Sequence, residues 1–273
     1  MTTLNKYLFL FVLSVGLIVP GVSYGGVIDV NSVRVTDVTP VQFSVVWGSM
    51  EPATGSVNVF ADVDGTIPVA GAVLSFESVE HPPAEDIGVM KVQVSNLEAN
   101  KSYYFQIKTT SKNTGAVFLY PESPPFMNVV TEEGSSIVRN DVLAQQISIG
   151  AGKSTQGTLV IAAVDQASYP VTGWAGDGVP DGWAAIDMNN FYDKGTHSNL
   201  ELAGGEPLFL TYFCGALGTV ETNDTVPAET GGIQKAVVAV TLADGGTEGD
   251  TPTSSSSGSG GGAACFISIL SSQ

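Results

Sequence analysis

The chain is poor in the residues that do covalent and metal chemistry. It has two cysteines, two histidines and ten basic residues among 273. Outside the cell Cys214 and Cys265 could pair, but Cys214 sits in the apolar run Leu208–Cys214, where a buried thiol is common. His81 and His197 lie far apart in sequence, and neither has a partner at a metal-binding spacing. Cys214 has no histidine beside it, so a thiol nucleophile lacks its base. No Gly-x-Ser-x-Gly elbow sits on a strand-to-helix turn. Twenty-seven acidic residues against the ten basic ones give a net charge of −17. A surface this negative repels nucleic acid and anionic lipid, and it favours solubility.

Long apolar runs are scarce as well. One lies near the N-terminus, from Leu8 to Val19, preceded by Lys6 and broken by Pro20. It is shorter than the roughly 20 residues a spanning helix needs. Ser23 and Gly25 then place small residues where a signal peptidase cuts, so residues 1–25 read as a secretion signal. No later run is long enough to span, and the mature chain is expected to be secreted or displayed at the cell surface.

Alternation is abundant. Val41, Phe43, Val45 and Trp47 alternate, as do Val57 and Val59, Met90, Val92 and Val94, and Tyr103, Phe105 and Ile107. Glycine, proline and acidic turns separate them, and no amphipathic helix is evident. Short strands at this spacing predict an all-β sandwich over residues 27–132. The run Leu97-Glu-Ala-Asn-Lys-Ser-Tyr103 predicts a tyrosine whose ring fills core while its hydroxyl bonds nearby backbone. A second unit, 137–244, shows the same pattern at 142–149, 157–165, 183–187, 199–202, 207–214 and 233–242. It reads as a second β-sandwich, packed end-on to the first. Residues 245–273 are a flexible Gly/Ser-rich tail with an apolar end.

Trp47, the turn Glu51-Pro-Ala-Thr-Gly55, Leu97 and Tyr103 together resemble the fibronectin type III family over residues 27–132. That resemblance implies a seven-stranded sandwich and a scaffold with no fixed chemistry. The end of the tail, Gly262-Ala-Ala-Cys265-Phe-Ile, is similar to the Cys-Phe-Ile box of some secreted bacterial proteins. The similarity implies processing or sorting at Cys265.

Three segments suggest ligands. Gly150-Ala-Gly-Lys-Ser-Thr155 has the look of a phosphate loop, but Ile147 occupies the position of its first glycine, so it reads as a polar turn. Gly176-Asp-Gly-Val-Pro-Asp-Gly-Trp183 resembles the core of calcium-binding thrombospondin type 3 repeats. Asp177 and Asp181 are its candidate calcium ligands; Gly173 and Ala175 stand where two further acids belong, which halves the charge available to a calcium ion. Calcium is the one cofactor suggested. Trp174, Trp183, Phe191 and Tyr192 cluster in the same stretch. Exposed, they would stack on sugar rings or dock a protein; buried, they are core, which the cost of wetting aromatics favours.

These readings converge on a secreted or surface binding protein, adhesin-like or part of an extracellular matrix, and not on an enzyme. Its expected partners are surface proteins or glycans, with no nucleic acid. The rival readings are a carbohydrate-binding accessory module, a filament subunit that self-assembles by strand addition, and a carboxylate-dependent hydrolase.

Overall fold

Bulky residues at every second position turn most of this chain into strands. The computed structural model describes residues 28–134, 138–139, 141–149, 154–165, 168–180, 182–214, 219–229, 232–235 and 240–242. The segment expected as a signal, residues 1–25, and the expected tail, 245–273, lie outside them. The first sandwich runs through Ile28–Thr36 (β1), Gln42–Ser49 (β2), Ala53–Phe60 (β3), Val73–Ser75 (β4), Val89–Ser95 (β5), Ser102–Ser111 (β6), Val117–Tyr120 (β7) and Met127–Val130 (β8). One sheet is ordered β1-β2-β5-β4; the other is β3-β6-β7, with β8 also on β6. With β7 and β8 taken together as one edge strand, the sandwich has four strands in one sheet and three in the other.

Phe43, Val45 and Trp47 of β2 and Met90, Val92 and Val94 of β5 face Val57, Tyr103, Phe105, Ile107 and Val129 across this core. Trp47 donates its indole N–H to Thr109 Oγ1 at 2.8 Å. The ring lies on Gly55, where a Cβ would come within 2.6 Å of it. Tyr103 is buried, and its hydroxyl accepts the Glu98 N–H at 2.9 Å. Leu97 packs into the same core. The turn between them therefore carries the tyrosine lock that its sequence predicts.

Two helices differ from expectation: Glu77–Glu80 (α1) and Pro82–Ile87 (α2) sit between β4 and β5. Four and six residues are too few to display a 3.6-residue period. Gly88 caps α2 at φ 79°, and a Cβ there would strike the Ser49 carbonyl at 2.1 Å.

The second sandwich runs through Asp141–Ile149 (β9), Leu159–Ala163 (β10), Val171–Trp174 (β11), Trp183–Asp187 (β12), Pro207–Phe213 (β13), Thr219–Thr225 (β14), Gly232–Lys235 (β15) and Val240–Leu242 (β16). One sheet is β11-β10-β13-β14; the other is β12-β9-β15, with β16 also on β9. β15 and β16 run parallel to β9, so the segment expected as one strand at 233–242 contributes two short ones. The expected strand at 199–202 is a single bridge, Tyr192 to Asn199. Leu143, Ile147, Val160, Ile186, Leu208, Leu210 and Tyr212 are among the residues of this core.

The sandwiches meet face to face, not end-on. β2 is buried on both sides: Phe43, Val45 and Trp47 point into their own core, while Val46 joins Val89, Ala84, Leu159, Ile161, Trp174 and Phe213 in a third core between the sandwiches. The Phe213 ring lies over Gly48, where a Cβ would approach Cζ to 2.8 Å. A buried charge network adjoins this seam. Lys91 Nζ lies 3.1 Å from Asp37 Oδ2 and 2.8 Å from Glu77 Oε2. Both acids reach the second sandwich. Asp37 accepts from Thr172 N–H at 2.8 Å and Thr172 Oγ1 at 2.6 Å, and Glu77 accepts from the Trp174 indole at 3.1 Å. Burial pulls the Lys91 ammonium down most strongly, but Asp37 and Glu77 together outweigh it and hold Lys91 above its ordinary pKa.

Candidate functional site

The structure separates the aromatic residues that the sequence groups together. Trp174 is buried in the seam and stacks on His81, ring centres 4.6 Å apart. Phe191 is buried in the second core, Tyr192 is buried as well, and Trp183 is half-buried on β12. The four therefore do not form an exposed stacking platform. Burial stabilises them more than a wet surface would, about 1.5–3 kcal/mol for a large apolar side chain. Asp177 stands in an exposed turn, while Asp181 and Cys265 lie outside the described residues. Among the described residues, no group of three or more His, Cys, Asp or Glu side chains is arranged to hold a metal ion.

Among the described residues, a concavity lies where the seam opens at one side. Its floor is the outer face of β10, β13 and β14. Strand register sets three rows there: Ala163, Phe209 and Asn223; Ile161, Thr211 and Glu221; Leu159, Phe213 and Thr219. The first sheet covers Leu159, Ile161 and Phe213, and leaves Phe209 44% exposed.

The facing wall is β1. Between Asp29 and Arg34 this strand slips out of register with β2. Ser32 fixes the bulge by donating to the Asp29 carbonyl at 2.6 Å and accepting the Gly48 N–H at 2.7 Å. Arg34 closes it, its guanidinium donating to the Asn31 carbonyl at 2.7 Å and the Val33 carbonyl at 3.0 Å. A bulge of this kind re-aims side chains. Here it carries Asp29, Asn31, Ser32 and Arg34 to the groove wall opposite Phe209, Thr211 and Glu221.

The groove holds a cavity of about 300 Å³ beside the bulge and a second of about 450 Å³ further along. Both are lined by Arg34, Ala163, Phe209, Thr211 and Glu221, so they form one continuous trough. Volumes of this size, at a junction between units, are those of ligand sites. The lining mixes one exposed aromatic, a guanidinium, three carboxylates and several hydroxyl and amide groups. Such a surface can bind by apolar contact and directed hydrogen bonds.

Sequence reasoning missed this site. A signal was present in β13: Leu208, Leu210 and Tyr212 fill the core, yet Phe209 and Phe213 put large rings on the opposite face. Aromatics on both faces of a strand mark a sheet with two jobs. The chain matches no protein-family model and no curated protein by sequence.

Proposed function

We propose that this chain is an exported binding protein of the cell surface or extracellular matrix, adhesin-like in action, which recognises a glycan or protein chain in the groove between its sandwiches. The signal-like segment 1–25 and the acidic composition support export. Trp47, Leu97 and Tyr103 support kinship of the first sandwich with fibronectin type III domains. Among the described residues, no helix is long and apolar enough to cross a membrane.

One observation carries the reading: the trough that runs along Phe209 between the β1 bulge and the face of β13 and β14. Its mechanism is surface complementarity, not bond cleavage. A glycan suits it best, because a sugar ring offers an apolar face to Phe209 and hydroxyls to Asn31, Thr211, Thr219 and Asn223. Glycan-array screening, followed by calorimetry on the best hit, tests this. Phe209→Ala is expected to weaken binding about tenfold or more while leaving the fold intact, since the ring is partly exposed. An array without hits, or a hit that Phe209→Ala binds equally well, would reject the glycan groove.

A further inference from the structure

Glu132 follows β8 and is fully buried where the first sandwich meets a loop of the second. Its backbone belongs to the first sandwich. The Glu132 N–H donates to the Thr39 carbonyl at 3.3 Å, and its carbonyl accepts the Asn100 N–H at 3.0 Å. Its side chain belongs to the seam: Oε2 lies 3.4 Å from His197 Nδ1. The next residue crosses the same gap, with the Glu133 N–H donating to the His197 carbonyl at 3.1 Å. His197 itself takes the left-handed conformation, φ 53°, in the turn that carries it there.

Three atoms of this contact are anomalous. Glu132 Oε1, Glu132 Oε2 and His197 Nδ1 are all buried without a hydrogen-bond partner. A bare buried carboxylate is among the costliest groups a protein can hold. The groups facing it do not relieve it. Asp193 presents a like charge, and Tyr169 and Tyr192 add phenol rings. Lys194 lies over the Tyr169 ring, 5.4 Å from its centre. On the first sandwich, Lys101 is paired with Glu98 at 2.8 Å. One proton resolves the anomaly: a neutral Glu132 carboxyl can donate to His197 Nδ1, and no net charge stays buried. Burial, reinforced by Asp193, accordingly pushes the Glu132 carboxyl up to about 7.

We propose that the Glu132–His197 contact is a proton-operated latch, closed while the pair holds its proton and released when that proton is lost. The loop at 191–199 would then come away from the first sandwich. The movement has a route to the groove. Tyr169 N–H donates to the Tyr192 carbonyl at 2.8 Å, and the adjoining Pro170 lines the trough and accepts the Asp37 N–H at 2.9 Å. The direction follows from linkage. Below the ordinary glutamate pKa of 4.5, folded and unfolded chains are both protonated and the latch contribution is full. As pH rises from there through about 7, the folded chain alone holds the proton, and the contribution is progressively lost.

Hydrogen exchange on the whole protein at about pH 5.5 and about pH 8.5, with times scaled for intrinsic exchange, tests the latch. Residues 131–134 and 191–199 are expected to exchange about tenfold faster at the higher pH, with β6 unchanged. Glu132→Gln cannot ionise, yet its amide can donate to Nδ1, so it should stay closed at both. Equal protection of the natural protein at the two values would overturn the latch, as would a Glu132→Gln variant that opens alongside it. Carboxyl NMR of the unaltered protein is an independent test: a Glu132 midpoint near the ordinary value refutes the proposal. A stoichiometric metal ion that is lost in Glu132→Gln refutes it too, because the orphan atoms would then be ligands.

Discussion

Lys91 is a cation enclosed between two sheets, and its tolerance there depends on two carboxylates. The ammonium alone would lose several kcal/mol of hydration on burial. Asp37 and Glu77 offset that loss, and each is held in turn by a donor from the second sandwich, Thr172 or Trp174. One side chain thus organises acids that grip across the seam. Lys91→Ala would leave two half-buried carboxylates facing each other without a counter-ion. We expect it to destabilise the protein by about 3–5 kcal/mol in urea denaturation. Replacing Lys91 by methionine together with Asp37→Asn and Glu77→Gln should restore much of that loss, because no unpaired charge then stays buried. A Lys91→Ala protein as stable as the original would show that water reaches the network.

The strands differ in how many surfaces they serve, and that decided what could be read from the sequence. β5 and β12 were legible within a residue, whereas β6, expected over Tyr103–Ile107, runs on to Ser111. β4, β7 and the two helices were not legible, since three to six residues carry too little periodicity. Alternation also misled about faces. Ser44, Val46 and Gly48 look like the solvent side of β2, yet they form the wall on which the second sandwich rests. Trp174 is buried, as the cost of wetting aromatics favours, but nothing in its sequence neighbourhood announces its partners Glu77 and His81. The groove was illegible because its two sides, 29–34 and 209–223, are far apart in sequence and share no motif. The double-sided nature of β2 makes a specific prediction. Gly48→Val would push a side chain into the Phe213 ring and towards Ser32 Oγ, only 3.1 Å from where the new Cβ would stand. Overpacking of this kind costs about 1–3 kcal/mol. It should also alter ligand binding, since Phe213 and Ser32 line the trough, whereas Gly134→Ala, with open space around it, should change neither thermal stability nor binding.

At the scale of the whole molecule the seam determines how the chain behaves. Units joined by modest polar interfaces hinge; those joined by a large apolar one do not. Here Val46, Ala84, Val89, Leu159, Ile161, Trp174 and Phe213 are buried between the sandwiches, with the Lys91 network beside them. At about 1.5–3 kcal/mol for each large side chain, the seam contributes on the order of 10 kcal/mol. That is comparable with the whole stability of an ordinary domain, about 5–15 kcal/mol. Neither sandwich can then unfold without exposing a surface whose cost rivals its partner's stability, so the two should melt together. Calorimetry is expected to show one transition whose calorimetric and van't Hoff enthalpies agree. Ile161→Asp would place a lone carboxylate against Val46 and Phe213 and uncouple the halves into two transitions at lower temperatures. Two resolved transitions in the unaltered protein would mean that the seam is a contact surface and not a core, and that the groove it frames can change width.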